Sequence, residues 1–161
     1  MSKERILIVD DETSMCEFLT MVLSKEGYRV RAVTSGSQAL SVLEEETFPL
    51  MITDLRMPDM NGLELIRETR RRHPELGVVV ITAFASLESA VEALRLGASD
   101  YITKPFQVDE IRAVVEKSLD NLSVRREHRK LKAKLMADGG IPTIIGRSEE
   151  TSKLVAMIQR V

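Results

Sequence analysis

The sequence predicts an α/β fold of the flavodoxin-like class: a five-stranded parallel sheet in the order 2-1-3-4-5, helices on both faces, and a long C-terminal linker helix. Two observations carry this. Strand and helix patterns alternate five times within about 115 residues, which implies parallel strands joined by crossover helices. The strand candidates are mostly near-continuous apolar runs, as a sheet covered on both faces requires. Right-handed crossovers leave few arrangements of five such strands, and 2-1-3-4-5 is the common one.

Taken in order, Arg5-Ile6-Leu7-Ile8-Val9 is β-branched and apolar and stops at Asp10-Asp11-Glu12, so it reads as the first strand. Helical spacing runs from about Thr13 to Lys25 and closes on Gly27, a C-cap signal. Tyr28 to Val33 is the second strand. Ser35-Gly36 opens a second helix through Leu40 and Leu43, which ends before Phe48-Pro49. Leu50 to Thr53 is the third strand and delivers Asp54 to its end. Pro58 cannot join a ladder and the Asn61-Gly62 pair tolerates positive φ, so the chain must turn there. A helix from Leu63 to about Arg72 follows, stopped by His73-Pro74. Gly77 to Thr82 is the fourth strand, and a helix from about Leu87 to Leu96 closes on Gly97. Asp100 to Thr103 is a short fifth strand that runs into Lys104-Pro105. The last helix begins near Val108 and meets no proline or glycine before Ala137.

Composition narrows the class. The 161 residues suit one domain plus an appendage, and 43% apolar with 30% charged residues is ordinary for a soluble globular protein. A net charge of −2 argues neither for nor against nucleic acid, so local runs matter more. The single cysteine, Cys16, excludes an internal disulfide framework and suits a reducing compartment. Its helical neighbours Met15, Phe18, Leu19 and Val22 give it a packing role. No apolar run approaches the roughly 20 residues that cross a bilayer, and the N-terminus lacks a signal-peptide core, so no membrane contact and a cytoplasmic location are expected.

In the 2-1-3-4-5 order the first and third strands lie side by side. Asp10, Asp11 and Asp54 therefore converge, with Thr82 and Lys104 on the same rim, where open α/β sheets keep their chemistry. A lone aspartate before a turn would be an ordinary capping residue. The matching residues at the other strand ends overturn that reading. Three close carboxylates raise one another's pKa, and a hard divalent cation such as Mg²⁺ resolves the conflict. Lys104 is suited to an anion as a mobile point charge, and the Thr82 hydroxyl can donate to it. Together these are the parts for moving a phosphoryl group onto an aspartate, with Asp54 the acceptor because it comes from the central strand. His73 and His128, both expected to be exposed, offer no competing arrangement.

Asp10-Asp11, Asp54 with Met57-Pro58 and Asn61-Gly62-Leu63-Glu64, Thr82-Ala83, and Tyr101-Ile102-Thr103-Lys104-Pro105 resemble the response-regulator receiver domain of two-component signalling. The resemblance covers about residues 3 to 120. It implies that Asp54 accepts phosphate from a sensor histidine kinase. It also implies that Asp11, Asp54 and the backbone carbonyl of Arg56 bind Mg²⁺ directly, with Asp10 assisting. Thr82 and Tyr101 would be the switch pair, Lys104 would contact the phosphoryl group, and the Lys104-Pro105 bond would be cis. Enzymatic activity is then limited to self-catalysed transfer to Asp54 and slow autodephosphorylation. Read alone, Tyr101 is better taken as a strand aromatic half-covering a sheet edge, and only the resemblance favours the switch. Met15, Met21, Met51, Met57 and Met60 read as core or turn packing.

The remainder is similar to the opening of the AAA+ domain in sigma-54-dependent transcriptional activators, through Ile144-Ile145-Gly146-Arg147-Ser148 followed by Leu154-Val155 and Ile158. The expected division is a receiver over 1–120, a linker helix and loop over 121–142 broken by Gly139-Gly140-Ile141-Pro142, and an ATPase fragment over 143–161. There is no G-x-x-x-x-G-K-[ST] loop and no helix-turn-helix, so sigma-54 RNA polymerase and DNA would be reached only through domains missing here. The second half of the last helix is too charged for a monomer core. Leu119, Leu122, Val124, Leu131 and Leu135 give a partial heptad, imperfect at His128 and Arg129, and predict a homodimer through the fifth helix and linker. That dimer would change its arrangement when Asp54 is phosphorylated. Two other readings compete. A phosphohydrolase with an aspartyl-phosphate intermediate wants a D-x-D pair, whereas the acids of Asp10-Asp11 are adjacent. The basic run Arg125 to Lys134 could contact nucleic acid, but it lacks interleaved aromatics.

Overall fold

The computed structural model describes residues 4–83 and 86–137, so the expected fragment over 143–161 and the Gly-Gly-Ile-Pro break lie outside the described residues. Ten elements alternate: β1 (Arg5–Val9), α1 (Thr13–Lys25), β2 (Arg29–Val33), α2 (Gly36–Glu45), β3 (Leu50–Thr53), α3 (Gly62–Arg72), β4 (Gly77–Thr82), α4 (Leu87–Arg95), β5 (Asp100–Thr103) and α5 (Val108–Ala137). The sheet is parallel throughout, in the order β2-β1-β3-β4-β5. Val9 pairs with Thr53, and Thr53 with Val80, so the carboxyl ends of the three inner strands finish on one edge.

Period-two alternation sorts the strand side chains to two cores. Leu7, Val9, Met51, Val78 and Val80 pack with Ala39, Leu43, Leu65, Ile66 and Ala93 from α2, α3 and α4. Ile6, Ile8, Leu50, Ile52, Val79, Ile81 and Ile102 pack with Cys16, Leu19, Leu23, Ile111 and Val115 from α1 and α5. The inner strands β3 and β4 are buried at every position, which is why their sequences read as unbroken apolar runs. The helix boundaries follow from local chemistry. Ser35, Asn61 and Ser86 accept from backbone amides at the starts of α2, α3 and α4, and Ser86 and Ser89 cap each other reciprocally. Gly27 and Gly97 stop α1 and α4 at φ values of 95° and 111°, a conformation in which a Cβ is strained.

Four local expectations differ from the structure. Gly62 does not have positive φ, and Asn61 is an extended N-cap whose side chain accepts from the Glu64 amide. His73 is only half exposed: it caps the end of α3, and its Nε2 is buried without a hydrogen-bond partner. Met21 is exposed and packs in no core. Leu122 is 8% exposed, with its Cδ1 2.6 Å from where a Cβ on Gly77 would sit, and Leu119 packs against the α1 side of the sheet. Leu122 is therefore covered by its own sheet and offers little surface to a second copy, while Leu119 is covered in part. Spacing on a helix shows which residues share a face, but not what covers that face.

The chain divides between Leu122 and Ser123. Beyond that point the described residues are the remainder of α5, on which Val124, Leu131 and Leu135 are exposed by 63%, 62% and 51%. Among the described residues no helix is long and apolar enough to cross a membrane.

Candidate functional site

At the carboxyl edge of the sheet, β1 ends in Asp10 and Asp11, β3 in Asp54, β4 in Thr82, and β5 runs into Lys104. Carboxylate oxygens of Asp10, Asp11 and Asp54 lie within 4.8 Å of one another. Asp10 and Asp54 are buried, whereas Asp11 is exposed. The Lys104 ammonium bridges the two buried acids, donating to Asp10 Oδ2 at 3.0 Å and to Asp54 Oδ2 at 3.1 Å. The other oxygens are held by backbone. Asp54 Oδ1 accepts from the Leu55 amide at 2.6 Å and from the Arg56 amide at 3.3 Å, and Asp10 Oδ1 from the Glu12 amide at 2.9 Å.

The electrostatics follow from this packing. Burial raises the Asp10 pKa despite hydrogen bonds from the Glu12 amide and Lys104, because desolvation penalises the charged form. Burial works against the Lys104 ammonium as well, but its hydrogen bonds to Asp10 and Asp54 outweigh that, and its pKa is raised. Three carboxylates and one ammonium leave a formal charge of −2 at the cluster (−3 + 1). A clustered set of carboxylate oxygens with that excess charge fits a hard divalent cation. The same set leaves Asp54 with one oxygen on backbone amides and one on the Lys104 ammonium.

Thr82 is fully buried, and its carbonyl accepts the Lys104 amide at 2.9 Å, which ties the lysine backbone to the end of β4. The Lys104-Pro105 bond is cis. Tyr101 is half-buried, and its hydroxyl lies 3.0 Å from Ser89 Oγ on α4. The ring thus covers the edge strand with its hydroxyl against α4.

Two features escaped the sequence reading. Gly62 sits where a Cβ would come 2.3 Å from the Asp54 carbonyl oxygen and 2.7 Å from Leu55 Cα, while its amide donates to the Leu55 carbonyl at 2.7 Å. Close backbone approach, and not turn freedom, demands a glycine there. Asp59, in the same β3–α3 connection, accepts from the Gly36 amide (3.3 Å) and from the Ser37 amide (3.0 Å) and hydroxyl (2.7 Å), clasping the loop to the N-terminus of α2. Cys16 has the packing role that its helical neighbours implied: it is buried, donates to the Asp10 carbonyl at 3.2 Å, and burial raises its thiol pKa. In sequence, the Asp59 signal was only an acid near a turn. Its partners lie 22 and 23 residues upstream and become neighbours only through the sheet order.

Comparison with known proteins places this geometry. The model of the family described as "Response regulator receiver domain" matches residues 6–116. The chain is 42% identical over 114 residues to the transcriptional regulatory protein ZraR of Escherichia coli (strain K12), covering 71% of this chain and 26% of ZraR. It is 31% identical over 160 residues to the DNA-binding transcriptional regulator NtrC of the same strain, covering 99% of this chain and 33% of NtrC. The chain thus spans about a quarter to a third of these regulators. Among solved structures it is similar to the beryllofluoride-activated NtrC4 receiver domain dimer, at a TM-score of 0.72 and 31% identity over 74% of this chain and 99% of that one.

Proposed function

The chain belongs to the response regulator receiver family, and on that premise we propose that Asp54 accepts a phosphoryl group from the phosphohistidine of a sensor kinase. The observation that carries this is the Lys104 bridge: one ammonium donates to two buried carboxylates, Asp10 and Asp54, beside a third acid, and leaves the cluster with excess negative charge. Asp10, Asp11, Asp54 and the Arg56 carbonyl would hold Mg²⁺. When bound, that ion supplies positive charge to the cluster and to the oxygens of an incoming phosphoryl group. Asp54 forms the new O–P bond as the N–P bond of the donor breaks and the imidazole leaves. Lys104 then transfers its hydrogen bond from Asp54 to a phosphoryl oxygen. The Thr82 hydroxyl moves toward the same oxygens, and Tyr101 exchanges its contact with Ser89 for an inward position. The Leu55 and Arg56 amides hold Asp54 in register throughout.

Downstream, the resemblance to sigma-54-dependent activators supports a regulator in which this receiver controls an ATPase and, through domains outside residues 1–161, sigma-54 RNA polymerase and DNA. A second copy of the chain would pair through the exposed positions Val124, Leu131 and Leu135, with phosphorylation altering the pairing.

Incubation with acetyl phosphate and Mg²⁺ tests the acceptor. The intact mass should rise by one phosphoryl group, Asp54→Asn should remain folded and unlabelled, and Asp11→Ala should lose labelling at limiting Mg²⁺. Full labelling of the Asp54→Asn protein would overturn the assignment.

A further inference from the structure

Arg56, whose carbonyl is the backbone ligand proposed for Mg²⁺, lies in the connection between β3 and α3. That connection is fixed at three places. At its base the Gly62 amide donates to the Leu55 carbonyl at 2.7 Å, with no room for a side chain between them and Asp54. In the middle, Met57 is buried in the core beneath α2, α3 and α4. At the tip, Asp59 places both carboxylate oxygens on α2: Oδ1 accepts from the Gly36 amide, and Oδ2 from the Ser37 amide and hydroxyl. Met60 packs beside it, its Cβ and Sδ 3.1 and 3.2 Å from where a Cβ on Gly36 would sit.

Gly36 and Ser37 open α2, and the first amides of a helix have no partner within it. An ionised carboxylate on two of them makes charge-assisted bonds, stronger than neutral ones, at the positive end of the helix. Asp59 and Ser37 are both exposed, so burial does not explain why they are held together. Neither belongs to the carboxylate cluster at the rim. What the clasp does hold is the solvent side of the loop that carries Arg56. Mg²⁺ demands near-ideal octahedral geometry, so a carbonyl on a loose loop is a poor ligand for it.

We infer that Asp59 is a positioning residue for the metal site: by tying the connection to α2 it holds the Arg56 carbonyl where Mg²⁺ needs an oxygen. It therefore sets Mg²⁺ affinity, and not the rate of phosphoryl transfer once the ion is bound. This deepens the metal reading above and rests on it.

The test is calorimetric titration of the full chain with Mg²⁺, which reads binding without labelling. Asp59→Ala should bind the ion about tenfold more weakly. Its amides from Arg56 to Met60 should exchange faster, while labelling by acetyl phosphate at saturating Mg²⁺ stays near the wild-type rate. Asp59→Asn keeps an oxygen that can accept from Ser37 and should fall between wild type and Asp59→Ala. Ser37→Ala leaves the Asp59 charge in place but removes one of its hydrogen bonds, and should weaken Mg²⁺ binding by a smaller factor. The double variant should bind no more weakly than Asp59→Ala, because the two residues act as one unit. A wild-type chain that binds no Mg²⁺ would overturn the metal reading itself. Wild-type affinity in Asp59→Ala would leave that reading standing and overturn the positioning role. So would an equal loss in Asp59→Asn and Asp59→Ala with Ser37→Ala unaffected, which marks the Asp59 charge acting through space.

Discussion

The sheet rim and the second half of α5 break the same general rule in opposite senses. At the rim, Asp10, Asp54 and Lys104 are charged groups withdrawn from water, and each is held by partners supplied from another strand or from the following turn. On α5 beyond Leu122, Val124, Leu131 and Leu135 are apolar groups left in water. A buried charge is costly without compensation, and an exposed apolar stripe contributes nothing to the fold that carries it. On the proposed function the rim would hold charge for a ligand that is itself charged, and the helix would keep apolar surface for a partner that is itself apolar.

Substitutions at the two regions should then differ in kind. The largest effect near the rim is expected for Gly62→Ala, because the new Cβ meets backbone at 2.3 Å and 2.7 Å and cannot be relieved by turning a side chain. A loss of about 3 kcal/mol in denaturant unfolding is expected, together with labelling at least an order of magnitude slower. Wild-type stability would place the β3–α3 connection elsewhere. Next comes Lys104→Ala, which leaves Asp10 and Asp54 facing each other. Lys104 is 12% exposed, so some solvent reaches the pair, and a cost of about 2 kcal/mol is expected. Added Mg²⁺ should raise the melting temperature of this variant more than that of the wild type. An equal rise in both would break the link between the lysine and the metal site.

Asp59→Asn should cost about 1 kcal/mol through loss of an ionised cap on α2. The Ser37 hydroxyl and amide lower the Asp59 pKa, so its contribution is present above the ordinary carboxylate range and lost as pH falls through the lower folded value. The stability gap between wild type and variant should close in acid; a gap that widened there would contradict the clasp. The smallest effect belongs to Leu131→Ala, which should change unfolding of the dilute chain by less than about 0.5 kcal/mol while weakening self-association. Leu65→Ala, a fully buried residue on α3, gives the contrast at about 2–5 kcal/mol.

The fold was legible because alternation and strand burial are local signals with a global consequence: once five strands must be parallel, few orders remain. The rim followed from the order, since Asp10, Asp54, Thr82 and Lys104 each end a strand. What stayed hidden were contacts between segments. Gly62 was read as a turn residue because its true neighbour, the Asp54 carbonyl, lies eight residues back and is met only after folding. Leu119 and Leu122 share a sequence pattern with Leu131 and Leu135, and only the sheet beneath the first pair separates them. The His73 ring, expected in solvent among arginines, has one nitrogen enclosed instead.

The most direct test of Asp54 as acceptor is chemical localisation of the phosphoryl group. The chain is loaded with acetyl phosphate and Mg²⁺, reduced with borohydride, which converts an aspartyl phosphate to homoserine, and sequenced by tandem mass spectrometry. Homoserine at position 54 and at no other aspartate is the expected result. Homoserine at Asp10 or Asp11 with Asp54 unmodified would contradict it.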